Sequence, residues 1–162
     1  MKQLRFKALS VAAIIMAAGF LFALDLQGQA TQPAVAGNVN ISSLPASAKK
    51  FIVKHFNGIA ITECEKGFLS GKFDVELADD TDMEFDSKGN IIEIDAGNRA
   101  VLSASLLKDI LPAKAYTELE KRGELNIVES VKRISRGYKV ELEKSGPDEI
   151  IFSPDGTFLS IH

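Results

Sequence analysis

The chain has 162 residues, 46% of them hydrophobic and 25% charged, with a net charge of −3 and one cysteine. That composition is ordinary for a globular protein, and a single cysteine excludes an intrachain disulfide framework. The acidic balance argues against nucleic acid and anionic membrane surfaces as partners.

Residues 1–30 begin with the bases Lys2, Arg5 and Lys7 and continue through an apolar run from Ala8 to Leu24. This is the pattern of a secretory signal peptide. A retained membrane anchor is the alternative, since the run is close to the shortest spanning helix of about 17 residues. Small residues suited to cleavage follow at Ala30 and again at Ala36, and no cysteine follows to carry a lipid. The expected location is therefore periplasmic or secreted, with no membrane attachment after cleavage. Without residues 1–30, 16 bases face 21 acids, a net charge of −5. Residues 31–42 are small and polar, and read as a flexible leader.

The first predicted helix opens at LPASAKKFIVKH, Leu44 to His55. Proline suits the start of a helix, and Ser42 or Ser43 could cap it. Leu44, Ala48, Phe51, Ile52 and His55 recur at helical spacing on one face, with Lys49, Lys50 and Lys54 outside it. Strands follow. IAITECEK is the first, and in KFDVEL the residues Phe73, Val75 and Leu77 alternate with polar ones, which predicts a sheet with one dry and one wet face. DMEFDSKGNIIEI places a glycine where a tight turn needs positive φ. A linker, residues 96–110, follows and contains Leu106, Leu107 and Ile110, which could form a further helix.

The pattern then returns. LPAKAYTELEKR (Leu111 to Arg122), NIVESVKR, GYKVEL and IIFSPDGTFLSI align on the earlier segments. The fold class expected is α+β: two repeats, residues 43–95 and 111–162, each a helix followed by a three-stranded antiparallel sheet. The repeats either share one sheet or form two lobes. Each alone is about 50 residues and would be marginal, so mutual burial is expected.

The LP-x-x-A helix start, the F/Y-x-V-x-L strand, the acidic strand ending in EFD and the x-x-G turn resemble the PepSY-like, β-lactamase-inhibitor-like family over about residues 43–162. Members of that family often carry tryptophan just after the glycine turn; Ile91 and Phe158 stand there in this chain. The resemblance implies an exported binding or inhibitory module without catalytic residues or a cofactor.

The residues themselves point away from catalysis. Asp80, Asp82 and Glu84 alternate as calcium ligands do, but Phe85 and Ile91 stand where a calcium loop needs glycine and glutamate. No metal site is expected, and the acids read as the wet side of a strand. Cys64 aligns with Val131 and reads as a small buried hydrophobe. His55 and its counterpart Arg122 suit a helix C-terminus, and no nucleophile and base converge. An enzyme is not expected.

What remains is the wet face. Alternation sends Met83, Phe85, Ile92 and Ile94 inward, and likewise Ile150, Phe152, Leu159 and Ile161. Ile91, Ile151 and Phe158 are left outside. The expected site is therefore an open sheet face centred on Ile151 and Phe158, extended by Ile91 and rimmed by Lys139 and Glu141, docking a protein partner. Coverage by the linker helix, or a homodimer through this face, is the alternative. The function expected is non-catalytic binding, with inhibition of an envelope or secreted enzyme implied by the resemblance. A small-ligand carrier with a dry gap between the repeats, or a structural envelope protein, are the rival readings.

Overall fold

The computed structural model describes residues 31–146 and 148–162, and the expected signal peptide lies outside them. Helix α1 (Ala46–His55) leads into four strands: β1 (Ile61–Lys66), β2 (Phe73–Leu77), β3 (Asp82–Phe85) and β4 (Ile91–Asp95). Helices α2 (Ala104–Ile110) and α3 (Ala113–Arg122) follow, then a short 3-10 turn at Leu125–Ile127. Four more strands complete the chain: β5 (Val128–Ile134), β6 (Gly137–Leu142), β7 (Glu149–Phe152) and β8 (Phe158–Ile161). Four strands rather than the expected three follow each of α1 and α3, because each glycine turn closes a hairpin of two strands.

All eight strands form one antiparallel sheet in sequence order. Glu93, Ile94 and Asp95 of β4 pair with Lys132, Val131 and Ser130 of β5. That seam settles one sheet over two lobes, and leaves no gap between the halves.

The three helices lie on one face. Ala48 and Ile52 of α1, Leu106 and Leu107 of α2, and Ala115 and Leu119 of α3 join Val75, Met83, Ile94, Val131, Val140 and Ile150 of the sheet in a single core. These strand residues face one another across the ladder from β2 to β7, as period-two alternation requires. The linker helix α2 thus belongs to the helical layer and does not cover the opposite face. Its Asp109 takes a 2.8 Å hydrogen bond with His55 Nε2 of α1 and an ion pair with Lys54.

Pro45 and Pro112 take the N-cap positions of α1 and α3, with φ near −57° in both, and neither helix has a side-chain cap. Ser42 instead donates its backbone N–H to Asn40 Oδ1 at 2.9 Å. The helix starts have another partner. Gly89, in the β3–β4 turn, has φ +80°, and a Cβ there would meet Pro45 Cβ at 2.8 Å and Ala48 N at 2.9 Å. Gly156, in the β7–β8 turn, has φ +85°, and a Cβ would meet Pro112 Cβ and Ala115 N, both at 2.8 Å. Each turn glycine is therefore fixed twice, by its backbone angle and by the helix start pressed against it. This joins the two most recognisable motifs of the sequence, LP-x-x-A and x-x-G, in one contact.

Both hairpins are bulged. Phe85 pairs with Ile91 while Glu84 pairs with Glu93, and Phe152 pairs with Phe158 while Ile151 pairs with Ser160. At the two edges the sheet differs. Ala34 C=O accepts from Ile61 N–H and Ala36 N–H donates to Ile61 C=O, both at 2.9 Å, so the segment expected to be a flexible leader straps the start of β1. Among the described residues no strand or isolated bridge pairs with the outer side of β8.

Candidate functional site

The face of the sheet opposite the helices is set by the same register. From β1 to β4 it presents Glu63–Glu76–Asp82–Asp95 in one cross-strand row and Glu65–Asp74–Glu84–Glu93 in the next. All eight line a shallow depression of about 480 Å3. Alternation explains why they share a face, and antiparallel pairing explains why they share rows. Like charges directly opposite one another in a sheet are destabilising.

Two lysines answer these acids: Lys72 Nζ reaches Glu84 Oε1 at 2.8 Å and Lys132 Nζ reaches Glu93 Oε2 at 2.6 Å. The crowding registers in the acids themselves. Glu65 beside it, then burial, holds the Glu63 carboxyl above its usual range. Burial, reinforced by Asp95 and Asp80, does the same to Asp82. Lys72 is pushed up by its hydrogen bond to Glu84.

From β5 to β8 the rows continue as Ser130–Glu141–Glu149 and Lys132–Lys139–Ile151–Ser160. Here Lys132 faces Lys139 and Glu141 faces Glu149, but lysines and glutamates are present in nearly equal number. Lys139 pairs with Glu141 and lies 3.7 Å from Glu149, and Ser130 Oγ donates to Glu141 Oε2 at 2.7 Å. The hydrogen bond from Lys139 holds Glu141 below its ordinary range and Lys139 above its own. Ile151 stands among these side chains and is 1% exposed.

The structure thus brings Ile151, Lys139 and Glu141 together on the bare face, as alternation predicts, but the apolar spot is closed over. Phe158 and Ile91 are not with them. The bulges turn both to the helical side, because one extra residue opposite one partner resets which side chain points inward. Phe158 packs edge-to-face on Phe152 at 6.4 Å with the Arg122 guanidinium 4.5 Å over its ring. Ile91 faces Phe85 and lines a cleft with Phe51, Ile110 and Tyr138. Of the residues expected to point inward, Leu159 is the extra residue of its bulge and half exposed.

The carboxylate rows are what reading residue by residue missed. Each of four successive strands contributes two acids at alternate positions, a signal present in the sequence but visible only when the strands are counted together. Among the described residues no group of three or more His, Cys, Asp or Glu converges to hold a metal ion. None of their helices is long and apolar enough to cross a membrane. Cys64 is half-buried opposite Val75 and packs against the core, and burial raises its thiol.

The family model described as "Putative beta-lactamase-inhibitor-like, PepSY-like" matches residues 34–93 and 71–160. The chain belongs to the PepSY-like family. PepSY-like folding is shared with solved structures. A protein from Bacteroides vulgatus ATCC 8482, described as a "putative periplasmic protein of unknown function", is 29% identical, with a TM-score of 0.60 over 76% of this chain and 94% of that one. A protein from Bacteroides thetaiotaomicron, described as a "putative calcium-regulated periplasmic protein", is 25% identical, with a TM-score of 0.61 over 76% of this chain and 93% of that one. A second Bacteroides vulgatus periplasmic protein, at 22% identity and a TM-score of 0.61, shares the fold. No curated protein matches the chain.

Proposed function

We propose that this PepSY-like chain is a non-catalytic periplasmic binding module whose bare sheet face docks a basic surface of another protein. The observation that carries this reading is the pair of carboxylate rows across β1–β4, which line one depression and have two lysines against eight acids. Such a face costs stability in the free protein and gains it when a cationic partner arrives. The periplasmic descriptions of the structural neighbours support the compartment, as does the signal-peptide pattern of residues 1–30. Inhibition of an envelope or secreted enzyme by occlusion is the form of binding that the family's description favours.

The proposed footprint differs from one centred on Ile151 and Phe158. Its centre lies on Asp74, Glu76, Asp82 and Glu84, with Lys139 and Glu141 at its border and Ile151 as a closed floor. We read the two halves as copies of one unit, a reading supported by the repeated docking of a turn glycine on a Pro-led helix start. The copies have diverged on the bare face, acidic in the first and charge-balanced in the second. A carrier of apolar ligands is disfavoured by the β4–β5 seam, which fills the place where its cavity would lie.

The test is capture of a partner from periplasmic extract by the wild-type chain and by an Asp74→Lys/Asp82→Lys variant whose melting profile shows it folded. Capture by the wild type that is lost in the variant, and that weakens as salt is raised, supports the reading. Equal capture by both variants, or capture indifferent to salt, overturns it. The calcium regulation named for the Bacteroides thetaiotaomicron neighbour suggests adding calcium to the same experiment, where screening of the rows would release the partner.

A further inference from the structure

Large apolar side chains are exposed in two places that stand out among the described residues. Phe68 and Leu69 crown the β1–β2 turn, and Phe158, Leu159 and Ile161 share the last strand, at 36%, 50% and 38% exposure. The second group coincides with a free sheet edge. Among the described residues β8 pairs with β7 alone, whereas the opposite edge of the sheet is strapped at Ile61. Natural edges are blunted by charge, proline, shortness or a bulge. β8 is four residues long and bulged at Leu159, but Phe158–His162 contains no Lys, Arg, Asp, Glu or Pro, so beyond the bulge Ser160–His162 carry no charge or proline to repel a pairing strand.

The backbone there is ready to pair. His162 and Glu149 exchange both hydrogen bonds, at 2.9 and 3.3 Å, and Ser160 lies opposite Ile151. In an antiparallel ladder the residue between two bonded pairs turns its N–H and C=O to the other side. Ile161 is that residue, so its donor and acceptor face outward.

The sequence FLSIH is also complementary to itself. A two-fold axis at Ser160 sets Leu159 opposite Ile161 of a second copy and Phe158 opposite its His162, and no charge meets a like charge. We infer that β8 pairs antiparallel with β8 of a second copy of this chain about an axis through Ser160, joining two sheets into one of sixteen strands. Such an interface is isologous and closed, so association stops at the dimer. It does not rest on the binding role proposed above, and it leaves the carboxylate face open.

The experiment is the solution mass of the full chain as recovered from cells, measured by sedimentation over a dilution series. The wild type is expected at twice the chain mass when concentrated, falling to one chain mass on dilution. Leu159→Lys is expected at one chain mass throughout, with a melting profile that matches the dilute, monomeric wild type, since its side chain is half exposed and lies outside the core. A Ser160→Cys substitution in a Cys64→Val background adds a geometric readout. Residues facing each other on the axis lie about 4.5–5.5 Å apart between Cα atoms, within the span of about 4.4–6.8 Å that a disulfide bridges. Oxidation is therefore expected to give a covalent dimer on a non-reducing gel. A wild type that is a monomer at every concentration overturns the inference, as does a dimer that survives Leu159→Lys or fails to cross-link at position 160.

Discussion

At Gly89 and Gly156 the chain has no room for a methyl group, since the nearest helix-start atoms already stand within 3 Å of where it would be. Replacing either with alanine adds backbone strain at positive φ to a steric clash, and is expected to cost about 1–3 kcal/mol. Thermal melts check this, and the same substitution at Gly123 provides the comparison, since its φ is positive too but nothing lies within 4 Å. His55 is a second point of leverage. Burial outweighs the pull of the Asp109 carboxylate and holds the imidazole below its ordinary value of 6.5. The unfolded chain therefore takes up this proton before the folded one, and stability declines as pH falls from about 6.5 towards the folded value. The slope of melting temperature against pH in that window is expected to flatten in His55→Gln. Cys64 offers the opposite case: its burial and raised thiol predict slow alkylation at neutral pH, and Cys64→Val is expected to leave the melting temperature nearly unchanged.

Hairpins decide which residues belong to the core, and they are where sequence and structure part. Replacing Phe158 with serine would be harmless if that ring lay on the bare face. Its contacts with Phe152 and Arg122 instead predict a loss of about 1–2 kcal/mol, measurable by urea unfolding. The alternation of Phe73, Val75 and Leu77, the helical spacing of Ala48 and Ile52, and the glycine turns were all legible because each depends on neighbours within a few residues. The bulges opposite Phe85 and Phe152 were not, because an extra residue is defined only against its partner strand, and one residue of slip turns every later side chain to the other face. The same limit hid the carboxylate rows: Asp82 and Glu84 looked like an ordinary wet edge until Glu63, Glu65, Asp74, Glu76, Glu93 and Asp95 were aligned beside them. The α+β class and the proline-led helix starts were readable; which side chains share the bare face was not.

For the whole molecule, the uneven charge of the bare face sets the response to solvent. Asp82 is raised above its ordinary value by burial and by Asp95 and Asp80. A carboxylate so raised contributes stability below its unfolded value of about 3.8, and that contribution is lost as pH rises through the folded value. Asp82→Asn is therefore expected to raise the melting temperature by a few degrees at neutral pH, with the gain vanishing in acid. Added salt should stabilise the wild type more than this variant, because screening and neutralisation relieve the same repulsion. The strap along β1 carries a different consequence. Ala34 and Ala36 hold Ile61 only while they remain part of the chain, and the cleavage proposed for a signal peptide would fall after Ala30 or after Ala36. Cutting at the first leaves the strap in place; cutting at the second removes it and bares Ile61 at the start of β1, where Glu63, Glu65 and Lys66 remain to blunt that rim. Processing a few residues further along would thus uncover a second rim that repels added strands, so association would still stop at pairs.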